Sequence, residues 1–188
     1  MGRIIVEQIV TVDGFAADRG GSIDFFEGDE RLREMEDDQL AMLAHVDAIV
    51  LGGNTYRMFA KFWPDANPEK EKVAAFINSK PKHVFSRKLE KAPWGNHEPA
   101  IIEIDAVERV LPELRKRYEG DIIVWGSLAI SETMFRENLV DVVRLRSVPV
   151  LMGGGKSVTP NELSLTKVKL ESCKAYPSGC VVQTYLLK

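Results

Sequence analysis

The chain has 188 residues, which predicts a single domain over 1–188 that can bury an apolar core without a metal or a disulfide. Its 25 basic and 28 acidic side chains give a net charge of −3, which argues against a nucleic-acid partner because such proteins usually carry a basic face. No apolar run approaches the ~20 residues of a membrane span, and no secretion signal is recognisable. We therefore expect a cytoplasmic protein that binds no membrane.

The first half of the chain alternates strands with helices. Residues 3–10 are rich in strand-forming residues, and a long loop then extends from Asp13 to Phe26. A helix is predicted over about 29–45, because its apolar residues recur at helical spacing and its acidic residues cover the other face. The further elements predicted in this half are a strand over 47–51, a helix through Phe59, a helix over 69–78, and strands over 82–86 and 99–104.

The second half ends in strands without helices between them. Asp105 and Glu108 have the spacing of a capping box, which predicts a helix start there; Pro112 should bend or shorten this helix, and Gly120 should end it. The elements predicted after it are a strand over 121–125, a helix to Asn138, and strands over 140–148, 166–174 and 181–187. Parallel βαβ units followed by an antiparallel end predict a mixed α/β sheet with helices on both faces.

Two of these strands run directly into a glycine and then a helix. Gly52 and Gly53 follow the strand over 47–51, and Gly126 follows the strand over 121–125. Glycine permits a tight turn and a close ligand, and a helix start offers the free N–H groups and positive dipole end that suit a phosphate. The two corners suggest a ligand with more than one phosphate, while an ordinary strand–helix turn would explain each corner equally well.

The common nucleotide motifs do not fit the chain. Neither corner has the Gly-x-Gly-x-x-Gly pattern of a Rossmann fold. Residues 153–157 read Gly-Gly-Gly-Lys-Ser, but Val150 stands where a P-loop needs its first glycine, and Pro160 closes off the helix that should follow. These glycines instead predict a flexible turn against which a ligand or the opposite backbone packs.

A third candidate phosphate contact follows the strand over 82–86. Ser86, Arg87 and Lys88 come at its carboxyl end, near which ligands of open α/β sheets bind. A hydroxyl and two cations there can hold a terminal phosphate monoester, such as the 2′-phosphate of NADP. A solvated basic turn is the alternative interpretation.

The sequence patterns that would indicate acid–base catalysis or metal binding are weaker than those for phosphate binding. Asp13 and Asp24 bracket the long early loop, and a carboxylate in a closed pocket can orient an amine or relay a proton, although aspartate is also a common loop residue. The three histidines have no metal-ligand spacing with one another or with the cysteines, so no metal is predicted. Cys173 and Cys180 flank a hairpin turn predicted at 177–179, and we expect two reduced thiols.

Five short segments, taken in order, resemble the dihydrofolate reductase-like superfamily. The closest likeness is to the C-terminal reductase domain of the riboflavin-biosynthesis deaminase-reductase and to its stand-alone bacterial relatives. The segments are Val12-Asp13-Gly14-Phe15, Leu51-Gly52-Gly53-Asn54-Thr55-Tyr56, Val84-Phe85-Ser86-Arg87, Val124-Trp125-Gly126-Ser127 and Pro149-Val150-Leu151-Met152-Gly153-Gly154-Gly155. Each is short, but the ordered set spans nearly the whole chain.

The resemblance implies a three-layer α/β/α domain of the dihydrofolate reductase type, with a mostly parallel central sheet and an antiparallel C-terminal hairpin. It also implies NADPH laid across the strand ends, and a homodimer. The cofactor-binding residues that it implies are Val12, Gly52, Gly53, Asn54, Thr55, Ser86, Arg87, Gly126, Ser127 and Leu128.

The function implied is an NADPH-dependent reductase that passes a hydride to a C=N or C=O bond of a small heterocycle, such as a pterin, a folate or a ribitylamino-pyrimidine. Asp24, and then Asp13, are the candidates for orienting that substrate or delivering a proton. Because no catalytic signature is visible, a non-catalytic, dimeric NADPH-binding protein is the alternative. An α/β domain that binds no nucleotide is a third interpretation.

Overall fold

A computed structural model describes residues 2–187 of the chain, in which strands and helices alternate as predicted. The strands, in chain order, are β1 (Ile4–Thr11), β2 (Phe15–Ala17), β3 (Val46–Gly52), β4 (Lys82–Phe85), β5 (Ile101–Glu103), β6 (Asp121–Val124), β7 (Val142–Val148), β8 (Lys156–Ser157), β9 (Lys169–Ala175) and β10 (Val181–Leu186). The α-helices are α1 (Glu36–Leu43), α2 (Gly53–Phe62), α3 (Ala74–Ser79), α4 (Val107–Arg117) and α5 (Leu128–Arg136), and two 3-10 helices cover Glu30–Met35 and Trp63–Asp65.

Eight strands form the central sheet in the order β5-β4-β3-β6-β1-β7-β10-β9, and β2 pairs with β8 in a separate two-stranded sheet. Strand β1 runs parallel to β6 and β7, and β3 runs parallel to β4 and β6. Only β10 introduces antiparallel pairing into this sheet, with β7 on one side and β9 on the other, over the described residues. The predicted mixed, mostly parallel sheet with an antiparallel C-terminal hairpin is therefore confirmed.

The alternation of side chains along the strands fills both faces of the sheet. On one face, Ile4 and Val6 of β1 belong to a core that includes Leu111 of α4 and Met134 of α5. On the other face, a second core contains Ile5 together with side chains of α1, α2 and α3, namely Leu43, Tyr56 and Ile77. The domain accordingly has three layers. None of the helices within residues 2–187 is long and apolar enough to cross a membrane.

Two predicted helices are shorter than their patterns indicated. The segment predicted over 29–45 begins as a 3-10 helix, where the Asp29 carboxylate accepts a hydrogen bond from the Arg31 backbone N–H at 3.0 Å, and becomes α-helical only at Glu36. In the segment predicted over 69–78, the Asn67 side chain accepts from the Glu69 N–H at 2.9 Å and the chain makes turns before α3 begins at Ala74. In both segments, a hydrogen bond from a backbone N–H to a nearby side chain replaces the backbone hydrogen bonding of an α-helix.

The predicted capping box at Asp105 is wrong. Helix α4 begins after Ala106, and its N-cap makes no side-chain hydrogen bond; the Asp105 carboxylate instead accepts from the Arg109 guanidinium at 2.6 Å. Pro112 lies inside this helix, which nevertheless continues to Arg117. The free energy gained by burying the apolar face of the helix offsets the free energy lost with the backbone hydrogen bond that the proline removes.

The hairpin prediction and the thiol prediction are confirmed. The Tyr176 N–H donates to the Cys180 carbonyl at 2.9 Å, and Gly179 in the turn has a positive φ of 87°. Cys180 is buried and Cys173 is exposed, and both are free thiols.

A buried polar contact fastens α1 to the sheet. Register places Glu7 of β1 directly beside Arg144 of β7, and the two side chains form an ion pair with almost no exposure. One Glu7 oxygen, Oε1, also accepts from Gln39 Nε2 of α1 at 2.7 Å and from the indole N–H of Trp125 at 2.8 Å. The Arg144 guanidinium donates to both Glu7 Oε2 and the Gln39 amide oxygen.

We expect Arg144→Met to lower the free energy of unfolding by about 3 kcal/mol, because it leaves the Glu7 carboxylate buried without its cation. For a chain of this size the midpoint of thermal unfolding should fall by about 6–12 °C. The double variant Glu7→Gln, Arg144→Met removes both charges and should recover most of this loss. Urea unfolding of the two single variants, Arg144→Met and Glu7→Gln, and of the double variant measures this recovery. Simple addition of two single-variant losses would contradict the coupling.

Candidate functional site

The two glycine corners meet at the carboxyl edge of the sheet, because β3 and β6 are neighbours. The Gly52 N–H donates to the Gly126 carbonyl at 2.8 Å. A Cβ on Gly52 would lie 2.6 Å from Ser127 Oγ and 2.9 Å from its backbone nitrogen, and Gly126 has a φ of +118°. A Cβ on Gly126 would lie 2.9 Å from Thr55 Oγ1. Both positions therefore require glycine, and the corners form one junction rather than two separate walls.

Two helices start from this junction without a capping side chain. Gly52 is the N-cap of α2 and Ser127 is the N-cap of α5, and neither makes a side-chain hydrogen bond to its helix. The first-turn N–H groups of both helices consequently lack a side-chain cap, and the positive ends of two helix dipoles lie side by side. This arrangement suits a ligand that carries adjacent negative charges.

An open groove of about 370 Å³ lies over the junction, and we call it the cationic groove. Its lining residues are Gly53, Asn54, Arg57, Ser86, Arg87, Lys88 and Ser127. The lining contains three cationic side chains and no carboxylate. Five of the residues predicted to contact a cofactor are among them, so the structure brings the first corner, the second corner and the strand end after β4 together.

The cations of the cationic groove are exposed and largely unpaired. Arg57 donates to the Asn54 side-chain oxygen at 2.9 Å, and within residues 2–187 neither Arg87 nor Lys88 has a carboxylate partner. The Ser86 hydroxyl accepts from the Lys88 N–H at 3.2 Å and lies 3.1 Å from where a Cβ on Gly53 would stand. Free cations around a glycine that leaves room for close approach are the features of an anion site.

The other predicted contacts lie around the cationic groove or away from it. Thr55 and Leu128 occupy the first turns of α2 and α5, and Gly52 and Gly126 are buried behind the lining. Val12 is 63% exposed, and its N–H donates to the Val150 carbonyl at 2.9 Å. It therefore lies at the end of β1, outside the lining of the groove.

Asp13 makes contacts to the glycine-rich turn. Its carboxylate accepts from the Met152 N–H at 3.1 Å and from the Gly153 N–H at 2.7 Å. Hydrogen bonds from Thr11 and then from Gly153 lower the pKa of the Asp13 carboxyl. A Cβ on Gly155 would lie 2.2 Å from the Ala17 carbonyl oxygen, so this turn packs against the opposite backbone as predicted.

Asp24 is exposed in the long early loop, where its backbone N–H donates to the Ser22 hydroxyl at 3.2 Å. Within residues 2–187 no hydrogen bond joins Asp24 to Asp13. The roles of both aspartates toward a substrate stay predictions. No group of three or more His, Cys, Asp or Glu residues in the part of the chain that the structure describes could hold a metal ion.

Sequence reasoning missed polar groups on the α1 face of the sheet. Glu36, the first residue of α1, is 8% exposed, and burial raises the pKa of its carboxyl. Arg146 is only partly exposed, and its Nε is shielded from water and has no hydrogen-bond partner; burial lowers the pKa of its guanidinium. Arg144 and Arg146 alternate in a strand that is otherwise rich in valine, and this alternation is the sequence pattern that could have predicted charged groups on one face of the sheet. Gln8 Nε2, in the middle of β1, is likewise buried and unpartnered.

The chain has relatives along its whole length. Protein YyaP of Bacillus subtilis (strain 168), itself uncharacterized, is 27% identical over 186 residues, which cover 97% of this chain and 94% of YyaP. A 2,5-diamino-6-ribosylamino-4(3H)-pyrimidinone 5′-phosphate reductase of Aquifex aeolicus (strain VF5) is 30% identical over 92 residues, which cover 48% of this chain and 41% of the reductase.

Solved structures share the fold. A protein from Shewanella sp. PV-4, provisionally assigned to riboflavin biosynthesis, matches with a TM-score of 0.78 at 20% identity over 99% of both chains. Dihydrofolate reductase from Enterococcus faecalis, solved with NADP(H), matches with a TM-score of 0.60 at 12% identity over 98% of this chain and 95% of that one. These likenesses confirm the predicted dihydrofolate reductase-like fold. The sequence profile of the RibD C-terminal domain family matches residues 3–182, and the chain therefore belongs to that family.

Proposed function

We propose that the chain is an NADPH-dependent reductase that transfers a hydride to a C=N or C=O bond of a small heterocycle of the pyrimidine or pterin type. One observation carries the proposal: a groove with three cations and no carboxylate lies over two helix starts that have no capping side chain. Membership of the RibD C-terminal domain family supports a reductase in general terms.

The residues present fit the two anionic parts of NADPH. The first-turn N–H groups of α2 and α5 would hold the diphosphate, since they lie side by side at the Gly52–Gly126 junction. Ser86, Arg87 and Lys88 would hold the 2′-phosphate, a monoester that NADH lacks. When bound, NADPH supplies the hydride, while the protein orients the reacting groups and excludes water.

The proposed class of substrate is argued from the name of a related enzyme. The Aquifex aeolicus enzyme is named as a reductase of a ribosylamino-pyrimidinone phosphate, and a pyrimidine or pterin is the corresponding proposal for this chain. Asp24 and Asp13 keep their proposed role in substrate orientation or proton delivery. A homodimer in the cytoplasm is also proposed, on the resemblance to the family alone.

NADPH should stabilise the folded chain far more than NADH or ATP does. At a hundredfold excess over Kd, binding adds about 2.7 kcal/mol to the free energy of unfolding, which corresponds to a rise in Tm of about 5–10 °C. A thermal-shift series with the three nucleotides measures this. Absence of a shift with NADPH would contradict the cofactor assignment. NADPH oxidation with pterins, folates and ribitylamino-pyrimidines then separates a reductase from a protein that only binds the nucleotide.

Arg87→Ala should weaken NADPH about 10- to 100-fold and leave NADH nearly unchanged, because a hydrogen bond to a charged group contributes roughly 1.5–3 kcal/mol. Isothermal titration calorimetry of both nucleotides measures the difference. The matched control is Arg109→Ala, since Arg109 is an exposed arginine of α4 that pairs with Asp105. Equal weakening of NADPH and NADH would rule out a contact between Arg87 and the 2′-phosphate.

A further inference from the structure

Three polar side chains form a chain of hydrogen bonds on the α4 face of the sheet. His83 of β4 has no exposure to water, and its Nδ1 lies 2.7 Å from Glu103 Oε1 of β5. Its Nε2 lies 2.9 Å from the hydroxyl of Tyr118, which is the C-cap of α4. We call His83, Glu103 and Tyr118 the His83 network. None of the three lines the cationic groove, and the proposed function gives them no role.

The two partners of His83 determine which ring nitrogen carries the proton. An ionised carboxylate can only accept a hydrogen bond, so Nδ1 carries the proton and donates to Glu103. Nε2 then accepts from the Tyr118 hydroxyl. Burial lowers the pKa of the His83 imidazole, and the ring is therefore neutral at pH 8. Both ring nitrogens are satisfied in this one arrangement, which fixes β4 and β5 relative to each other.

Glu103 joins the His83 network to the cationic groove. Its backbone carbonyl accepts from the Ser86 N–H at 3.0 Å, at the point where the chain leaves β4. Ser86, Arg87 and Lys88 follow β4 directly and all line the groove, and we call them the cationic turn. Glu103 therefore holds His83 by its side chain and the start of the cationic turn by its backbone.

Strand β5 depends on such a bond, because little apolar surface holds it in place. It has three residues and is an outer strand of the sheet. Ile101, at its start, is 38% exposed, and Ile104, directly after it, is 67% exposed. Segments with few buried apolar contacts open locally at a low cost in free energy. An apolar residue in place of His83 would fill the same space, but it would remove the donor that holds the Glu103 side chain.

We propose that His83 is a positioning residue for the cationic turn. Through Glu103 it fixes the end of β5, and this strand end fixes the direction in which the turn leaves the sheet. The consequence for NADPH rests on the proposed function, which assigns the 2′-phosphate to this turn and the diphosphate to the starts of α2 and α5. Because NADH lacks the 2′-phosphate, loss of the His83 network should weaken NADPH and spare NADH.

Calorimetry of both nucleotides with the full chain at pH 8, well below the Tm, measures this selectivity. His83→Leu should weaken NADPH about fivefold to tenfold and change NADH less than about twofold. Glu103→Leu should cause the same loss, and the double variant should lose no more than either single variant, because both act through one bond. His83→Asn retains a donor for Glu103 and should recover most of the selectivity.

Val84→Ala is the matched control for a loss of stability alone. Val84 is the neighbour of His83 in β4, but it is buried in the core on the other face of the sheet. Its truncation should lower the Tm and leave the ratio of the two affinities unchanged. A ratio that falls as far in Val84→Ala as in His83→Leu would mean that selectivity follows stability, and the positioning role would be overturned.

Hydrogen exchange of the Ser86 amide reports on the cationic turn without any nucleotide. This exchange should be about fivefold or more faster in His83→Leu than in Val84→Ala, because only the first variant frees Glu103. Normal NADPH binding by the wild-type protein with an unchanged affinity ratio in His83→Leu overturns the positioning role alone. Absence of NADPH binding by the wild-type protein overturns the cofactor assignment, and the exchange of Ser86 then decides whether His83 positions the turn.

Discussion

The hydrogen bond from the Gly52 N–H to the Gly126 carbonyl is the constraint on which the site depends. It holds the ends of β3 and β6 so close that neither glycine has room for a Cβ. Helix α2 then packs on one face of the sheet and α5 on the other, as their core contacts show. Two helices that pack on opposite faces of the sheet thus begin at one point, and their first-turn N–H groups, which no side chain caps, lie side by side there.

The charged side chains are unevenly distributed over the molecule, and the net charge of −3 does not reveal this unevenness. The cationic groove has three cations and no carboxylate, while the carboxylates of Glu7 and Glu36 lie on the α1 face of the sheet. The edge of the sheet therefore attracts anions, whereas the α1 face carries both signs of charge. Local potentials of this kind, rather than net charge, select small ligands.

Much of the fold and part of the site could be predicted from the sequence. The strand-then-glycine pattern at 47–53 and 121–126 located both corners, because parallel strand ends and glycine turns have local signals. The fact that the corners touch depends on strand order, and pairing of β3 with β6 across about 70 residues of sequence leaves no local signal. The capping box at Asp105 failed for a related reason, since the competing partner Arg109 is equally compatible with the sequence spacing.

The polar groups on the α1 face show why a sequence pattern does not predict that a charged side chain in a strand is buried. A charged residue in a strand, such as Glu7 or Arg144, is normally assigned to the solvent side of the sheet. Here the register of β1 with β7 sets these two charges opposite each other, and their pairing with Gln39 makes burial tolerable. Arg146 continues the same face without an equivalent partner. The paired charges are explained by the attachment of α1 to the sheet, because each hydrogen bond of this buried group joins a strand to the helix or to a neighbouring strand.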